Sequence, residues 1–179
     1  MAKSGIRDID QMDGFQFEVY LKALFKKMGY KCNVTSNSYD FGADLVLTKD
    51  KEKIVVQAKR YGYKNKVGID AVQQVYAAKA YYKAHSCWVF TNSIFTNHAR
   101  KLAAACRVEL YDREKLMDFI NQINPDMTAR EVLHSVPAAE RYCPSCNGTL
   151  IQRTSRNGNV FMGCSNFPEC RYTERINQK

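Results

Sequence analysis

The sequence contains no long apolar run and relatively little acidic charge. No stretch of the 179 residues approaches the ~18 apolar residues that a membrane helix needs, so we expect no membrane partner. The N-terminus carries charges without an apolar segment, which predicts no secretory signal and a cytoplasmic location. Only 18 acidic residues oppose 27 basic ones, for a net charge of +9. This balance favours a polyanionic partner, nucleic acid first, although many basic soluble proteins bind no DNA.

Histidine is scarce, and cysteine is unevenly distributed. The three histidines have no partners at metal-binding spacing, so the sequence does not support a histidine-metal nuclease or a serine triad. The scattered cysteines are predicted to be small core residues. In a cytosolic chain, clustered cysteines favour a metal over disulfides. The scattered residues are Cys32, Cys87 and Cys106, and the clustered ones are Cys143, Cys146, Cys164 and Cys170.

Hydrophobic periodicity predicts an α/β fold for the first part of the chain. The predicted order, α-β-β-β-α-β-α-β-α, has a meander of strands before crossover units, which indicates a mixed sheet flanked by helices. The helices are expected at residues 13–28, 70–84, 97–105 and 113–123, and the strands at residues 30–35, 43–48, 53–59, 87–91 and 108–111.

A change of composition near residue 125 predicts a second, smaller domain. Asn-Pro-Asp at 124–126 interrupts the periodic pattern, and residues 128–134 are expected to add one or two helical turns at most. From residue 142 the chain is rich in Cys, Asn, Arg and Gly. We therefore expect a first domain at 1–124, a linker at 125–141 and a small domain at 142–179.

The clustered cysteines have the spacing of a zinc site. Cys143 and Cys146 form a Cys-x-x-Cys arm, while five residues separate Cys164 from Cys170, and Pro168 can turn that longer gap. Four thiolates can hold Zn²⁺ tetrahedrally. A redox pair is disfavoured, because no thioredoxin-like pattern surrounds it and the second cysteine pair would have no role. Since so short a segment builds little core, the metal would supply most of its folding energy.

Glycine, proline and aromatic positions between the cysteines add a second signature. With Cys-Pro-Ser-Cys-Asn-Gly at 143–148, Gly-Cys-Ser at 163–165 and Phe-Pro at 167–168, the segment 142–175 resembles the C-terminal zinc finger of bacterial type IA topoisomerases. The resemblance implies contact with single-stranded DNA. The phenylalanines could instead only pack the small core, and both interpretations stay open. Candidate phosphate contacts are Arg153, Arg156 and Arg171, and candidate stacking residues are Phe161, Phe167 and Tyr172.

Acidic, amide and basic side chains meet in a predicted β-hairpin of the first domain. Asp44 begins one strand and Lys59 ends the next, so the turn at 49–52 brings them side by side, and Gln57 shares a face with Lys59. A carboxylate can hold Mg²⁺ on a scissile phosphate, and a neighbouring lysine can position or deprotonate the attacking water. Alternatively, Asp44 is a turn residue and Lys59 a solvated strand end.

This hairpin has the pattern of the nuclease motif PD-(D/E)-x-K. Together with Phe-Gln-Phe-Glu at 15–18 and Thr-Asn-Ser at 91–93, it makes residues 10–120 resemble the Mrr-like restriction endonuclease family. The resemblance implies a restriction-endonuclease-like fold and Mg²⁺-dependent cleavage of DNA phosphodiesters. It also implies a role for each site residue: Asp44 as the principal Mg²⁺ ligand, Gln57 as the second ligand, Lys59 as the catalytic lysine and Glu18 as an additional acidic ligand.

Gln57 departs from the general motif, which has Asp or Glu at this position. An amide oxygen can still bind a metal, but it brings no charge, so Asp44 and Glu18 would supply the negative charge. For Glu18 the alternative is a surface ion pair with Lys22, one helical turn away. Asp40 could be a loop residue or could support the site from behind.

A basic loop follows the catalytic strand. Residues 59–66 interleave two tyrosines with four cations, which favours contact with the DNA backbone through Arg60, Lys64 and Lys66. A solvated loop is the alternative. Gln73, near the start of the next helix, could touch DNA or belong to plain helix surface.

Taken together, the motifs predict a two-module DNA enzyme that acts in restriction or defence against foreign DNA, with modified DNA as one substrate option. The alternatives are a repair nuclease for branched or single-stranded DNA and a DNA-binding accessory protein that does not cut. A homodimer is one way to cut both strands, because two cuts need two active sites or two encounters.

Overall fold

Two structural units divide the chain, Met1–Ala138 and Ala139–Lys179. The structure is a computed structural model that describes residues 2–34, 42–62, 65–123, 128–135, 141–154 and 160–175. No helix among these residues is long and apolar enough to cross a membrane.

The first unit alternates helices with short strands. The elements are, in chain order, α1 (Ala2–Gln11), α2 (Gly14–Lys27), β1 (Lys31–Val34), β2 (Leu45–Lys49), β3 (Glu52–Lys59), β4 (Lys66–Val67), α3 (Ile69–Tyr81), β5 (Ser86–Thr91), β6 (Ile94–Phe95), α4 (Asn97–Cys106), β7 (Glu109–Tyr111), α5 (Arg113–Ile123) and α6 (Ala129–Ser135).

A five-stranded mixed sheet lies at the centre of this unit, in the order β1-β2-β3-β5-β7. The first three strands form an antiparallel meander, and β5 and β7 join in parallel through helical crossovers. The predicted mixed sheet flanked by helices is therefore confirmed. β4 and β6 form a separate two-stranded parallel sheet within the segment after β3.

Helices cover both faces of the sheet, because alternate strand residues point to opposite sides. Leu45 and Val56 belong to a core that contains residues of α2 and α5. Val55 and Val89 belong to a second core that contains residues of α3 and α4. The residues of β3 that follow Val55 and Val56 can therefore be assigned to one face or the other by their alternation along the strand.

The direction of α2 is fixed by contacts at both of its ends. Asp13 caps the helix, accepting a hydrogen bond from the Gln16 N–H at 2.7 Å, while the Gln16 side chain accepts one from the Asp13 N–H at 3.0 Å. At the other end, Lys49 Nζ donates to the Met28 carbonyl at 2.8 Å. The C-terminus of α2 therefore lies beside the end of β2, and its N-terminus lies towards the start of β2.

Two parts of the first unit differ from the predicted pattern. Helix α1 was not predicted, and it buries Ile6 and Ile9 in the core that α2 shares. Helix α6 agrees with the one or two helical turns expected at 128–134. It lies within the predicted linker, 125–141, yet packs on α1 and α2 within the first unit, because Ala129 and Val132 enter the same core. Some predicted features lie outside the described residues: the expected turn at 124–126, the strand end at residue 35, residues 36–41 with Asp40, and residues 136–140.

The second unit is a small antiparallel sheet. Its strands are β8 (Arg141–Tyr142), β9 (Thr149–Thr154), β10 (Val160–Cys164) and β11 (Thr173–Arg175), in the order β11-β10-β9-β8. Among the described residues of this unit, Cys143, Leu150 and Cys164 form the buried core, with Met162, Cys170 and Tyr172 packed against them. So small an apolar core is typical of modules that a metal holds together.

Candidate active site and zinc centre

The hairpin of β2 and β3 joins Asp44 to Gln57 at one end of the sheet. Leu45 pairs with Val56, and the Asp44 N–H donates to the Val56 carbonyl at 2.8 Å. The Asp44 Oδ2 atom then accepts two hydrogen bonds, from the Ala58 N–H at 2.6 Å and from Gln57 Nε2 at 2.5 Å. These two hydrogen bonds fix the carboxylate against the last residues of β3.

Gln57 and Lys59 lie on the face of the sheet that α3 covers. Both have the same parity as Val55, which belongs to the core of α3 and α4. Gln57 is buried, Lys59 is half-buried, and Lys59 stands beside Thr91 at the end of β5. The three candidate residues of the hairpin thus occupy one end of one face.

The Gln57 side chain carries an unsatisfied oxygen. Its Nε2 atom donates to Asp44, which leaves Oε1 buried without a hydrogen-bond partner in the part of the chain that the structure describes. A buried acceptor without a partner costs on the order of 1–3 kcal/mol, so its retention needs a reason. Carboxylate and amide oxygens are hard ligands of the kind Mg²⁺ prefers. Asp44 and Gln57 therefore fit a Mg²⁺ site.

A close backbone contact fixes the approach to Asp44. Gly42 has a φ of +88°, and a Cβ atom built on it would lie only 2.5 Å from the Gln74 carbonyl oxygen of α3. A side chain is therefore excluded both by conformation and by space. Gly42 lets the chain pass against α3 before Asp44, which gives the glycine of the Asp-x-Gly-Ala-Asp sequence a structural reason.

Glu18 lies at the matching end of α2 but on the helix that covers the other face. The N-terminus of α2 points towards the start of β2. Arg60, directly after β3, donates a hydrogen bond to Asp10, just before α2, so the end of β3 and the N-terminus of α2 lie on the same side. Glu18 itself is half-buried in the second turn.

The predicted DNA-contact residues of the first unit occupy different environments. Arg60 is half-buried, and its Nη2 atom donates to the Asp10 carbonyl at 2.6 Å, so the side chain turns inward. Burial lowers the pKa of Arg60, and the nearby Asp10 and Asp13 oppose that shift. Lys66 and Gln73 are exposed. Lys64 lies outside the described residues.

A polar cluster beside the hairpin was not predicted as part of the site. Asn92 and Ser93, directly after β5, are buried, and they bond to the loop that follows Lys59. Asp10 and Arg113 complete this cluster. The Thr-Asn-Ser segment carried the family resemblance, but its partners are remote in sequence, so no local pattern could identify them.

The four clustered cysteines converge in the second unit. Their sulfur atoms all lie within 4.8 Å of one another, with 3.6 Å between Cys143 and Cys170 and 3.3 Å between Cys146 and Cys164. A tetrahedron of sulfurs at about 2.3 Å from Zn²⁺ has edges of roughly 3.8 Å. The four thiols therefore fit a structural Zn²⁺ ion.

Backbone and amide N–H groups contact two of the sulfurs, and the pKa values of these two thiols shift in opposite directions, because burial raises the pKa of Cys164 to about 12. The Asn166 N–H lies 3.4 Å from Cys164 Sγ, and Asn166 Nδ2 lies 3.6 Å from Cys146 Sγ. A backbone hydrogen bond from Gly148, with further ones from the neighbouring thiols, lowers the pKa of Cys146 to about 7. Such outer contacts orient metal ligands and favour their charged form.

The candidate DNA contacts of the zinc unit also differ from one another. Arg153 is half-buried; its Nη2 donates to the Cys164 carbonyl at 3.2 Å, and its guanidinium lies 5.7 Å from the centre of the Phe167 ring. Phe167 is 58% exposed, so it does not serve only to pack the core. Arg171 is exposed and Phe161 is half-buried, whereas Arg156 lies outside the described residues.

Comparison with known proteins assigns a family to each unit. Residues 9–120 match the Mrr_cat restriction endonuclease family, and residues 140–179 match the topoisomerase DNA-binding C4 zinc finger. DNA topoisomerase 1 of Methanocaldococcus jannaschii is 38% identical over 82 residues, 44% of this chain and 10% of that protein. DNA topoisomerase 1 of Mycoplasma genitalium is 51% identical over 39 residues, 21% of this chain and 6% of that protein. The chain thus spans a tenth or less of these curated relatives.

Solved structures share the fold. The DNA modification-dependent restriction endonuclease AspBHI superposes with a TM-score of 0.56 at 17% identity, covering 73% of this chain and 37% of that one. The MspJI restriction endonuclease, solved with a 27-mer oligonucleotide, gives 0.52 at 15% identity, covering 75% and 34%. At these identities the likeness shows the fold, and the predicted restriction-endonuclease-like fold is confirmed. Because the first family match covers more than half of its residues, the chain belongs to the Mrr-type restriction endonuclease family, and it carries a topoisomerase-type C4 zinc finger.

Proposed function

We propose that this protein is a Mg²⁺-dependent endonuclease that hydrolyses DNA phosphodiester bonds. The observation that carries the proposal is the Asp44 carboxylate beside the buried Gln57 Oε1, an atom that has no hydrogen-bond partner among the residues that the structure describes. When bound, Mg²⁺ would neutralise charge on the scissile phosphate as a Lewis acid.

Each residue of the site has a proposed task. Asp44 and Gln57 hold the metal ion, and the hydrogen bonds to Asp44 Oδ2 fix the carboxylate for that task. Lys59 positions or deprotonates the attacking water and stabilises the charge that develops on the phosphate. Glu18 supplies a further carboxylate from α2, and Lys66 contacts the DNA backbone from the loop beyond Lys59.

The zinc finger is proposed to hold DNA for the nuclease. Phe167 offers an exposed aromatic ring backed by the Arg153 guanidinium, and Arg171 offers an exposed cation, a combination that suits unpaired bases and their phosphates. A tethered second binding site raises the local substrate concentration without tight contacts of its own. The Zn²⁺ ion on the four cysteines is structural in this proposal.

Restriction of foreign DNA is the proposed biological role, with modified DNA as a substrate class to be tested. The fold shared with a modification-dependent restriction endonuclease motivates that choice. A second candidate is a repair nuclease for single-stranded or branched DNA, which the topoisomerase-type finger favours. Cleavage of both strands needs two active sites or two encounters with the DNA, and a homodimer would provide the two sites.

The deciding experiment is cleavage of methylated and unmethylated plasmid with and without Mg²⁺, beside single-stranded and branched oligonucleotides. The parent is compared with Asp44→Ala and Lys59→Ala, and with Lys51→Ala at the far turn of the same hairpin as a control. We expect cleavage by the parent and the control and none by the site variants. Binding without cleavage on every substrate would favour a DNA-binding accessory protein. Sedimentation with and without DNA gives the oligomeric state.

A further inference from the structure

We propose that Asp10, Asn92 and Arg113 form a positioning clamp that fixes the end of β3, with Lys59, and the basic loop that follows it. The inference rests on the proposed nuclease function and adds positioning residues to it. None of the three contacts the metal ligands in the hydrogen bonds described above. They act on the segment that carries the catalytic lysine.

Asn92 binds the backbone of the loop on both of its edges. Its Oδ1 atom accepts a hydrogen bond from the Tyr61 N–H at 2.8 Å, and its Nδ2 atom donates to the Tyr61 carbonyl at 2.8 Å. The side chain thus takes the place of a neighbouring strand for one residue beyond the end of β3. Because Asn92 is 0% exposed, water cannot substitute for these bonds.

Asp10 and Arg113 hold Asn92 in this orientation. Arg113 donates from Nη1 and Nη2 to the two carboxylate oxygens of Asp10, each at 2.7 Å, and Asn92 Nδ2 donates to Asp10 Oδ1 at 2.8 Å. Arg113 Nη1 also donates to the Asn92 carbonyl at 2.8 Å. The ion pair is largely withdrawn from solvent, with 27% of the Asp10 side chain and 18% of the Arg113 side chain exposed. A paired, bidentate arrangement of this kind gives strong directional control.

Two further bonds extend the clamp along the loop. Arg60 Nη2 donates to the Asp10 carbonyl at 2.6 Å, and the Ser93 hydroxyl donates to the Asn65 carbonyl. The loop is therefore attached on both sides of residues 63–64. Since Lys59 is separated from Tyr61 by one residue, loss of these attachments would let the end of β3 fray and move the lysine. Displacement of a catalytic group by about 1 Å can cost up to roughly 100-fold in rate.

The test compares Asp10→Asn and Asn92→Asp with Asp8→Asn. Both clamp variants keep the size of the side chain. Asp10→Asn removes the charge that Arg113 binds, and Asn92→Asp removes the two N–H donors of the amide. Asp8→Asn is the control: it makes the same chemical change on α1 as Asp10→Asn, but Asp8 pairs with Arg130, which is not part of the clamp. Three quantities are measured where all variants are folded: the single-turnover cleavage rate per folded molecule, DNA binding without Mg²⁺, and amide hydrogen exchange across residues 57–62 and 45–49.

We expect both clamp variants to cleave DNA about 10- to 100-fold more slowly than the parent and to exchange the amides of residues 57–62 faster. Amide exchange at residues 45–49 should not change in either variant. Asp8→Asn should match the parent in both cleavage rate and amide exchange. A lower unfolding temperature with unchanged cleavage and unchanged exchange at 57–62 would overturn the clamp and leave a structural ion pair. If the parent cleaves no DNA, the proposed function fails, and the exchange measurement alone decides whether the clamp holds the end of β3.

Discussion

Replacing Gln57 by Glu puts a second carboxylate where an amide now donates to Asp44 over 2.5 Å. The variant loses a hydrogen bond to a charged group, which contributes about 1.5–3 kcal/mol. It also gains a repulsion of about 4 kcal/mol at 4 Å for an effective dielectric of 20. Gln57 is only 4% exposed, so solvent screens the pair little. Allowing for proton uptake by the pair, we expect Gln57→Glu to lower the free energy of unfolding by roughly 3 kcal/mol at pH 8 without metal.

This deficit should depend on pH and on Mg²⁺. A carboxyl pair that binds a proton more tightly in the folded than in the unfolded chain gains stability as the pH falls, so the deficit shrinks between about pH 8 and pH 5. Millimolar Mg²⁺ should remove much of it at pH 8, because the ion binds two carboxylates better than one carboxylate and an amide. The parent should respond less to Mg²⁺.

The assay is urea unfolding at pH 8 and pH 5, with and without Mg²⁺. Gln73→Glu introduces the same charge on the exposed surface of α3 and should stay within about 0.5 kcal/mol of the parent. The double exchange Asp44→Asn with Gln57→Glu restores one acid and one amide and should recover stability without metal. A single Gln57→Glu variant as stable as the parent at pH 8 without Mg²⁺, or with the same Mg²⁺ response, would refute the proposed electrostatics.

Three further predictions address other parts of the chain. Gly42→Ala should destabilise the first unit by about 1–3 kcal/mol and reduce cleavage, because its methyl group would overlap the Gln74 carbonyl; unchanged unfolding would contradict the contact. Cys164→Ser should release Zn²⁺, measured by a chromogenic chelator, and unfold the second unit while circular dichroism of the first unit persists; full metal retention would exclude four-thiolate binding. Lys66→Gln should reduce the salt dependence of DNA binding by about one unit of slope, whereas Lys51→Gln, at the far hairpin turn, should not; equal slopes for both would remove Lys66 from the interface.

Two of the predicted groups of residues lie close together along the chain, so their proximity could be predicted from the sequence, whereas the catalytic roles of Asp44, Gln57 and Lys59 stay predictions. Asp44, Gln57 and Lys59 belong to one hairpin, so the period of two and the position of the turn suffice to place them together. The four cysteines carry their own spacing rule, and the structure brings their sulfurs within 4.8 Å. In both cases the information that defines the site is local.

The residues that were not predicted depend on remote contacts. In the part of helix α1 whose burial is described, residues 5–11, Ile6 and Ile9 form a buried stripe among charged residues, so its periodicity is weak until the core formed with α6 is known. For Arg60 the predicted DNA contact stays a prediction, and the contact that was not predicted is the hydrogen bond from its Nη2 atom to the Asp10 carbonyl. Asp10 and Arg113 are 103 positions apart, and no pattern in either neighbourhood indicates the other.

The clamp and the hairpin differ in how much of the chain must be in place before each can form. The hairpin of β2 and β3 closes within a few residues of its turn, so the metal-binding pair can assemble early and with a small entropic cost of loop closure. The bond between Asp10 and Arg113 closes a loop of about a hundred residues and requires α1, β5 and α5 together. A growing or partly unfolded chain would therefore bring Asp44 and Gln57 together before Lys59 is fixed in place. Under the proposed nuclease function, this order would delay competence for cleavage until the first unit is complete.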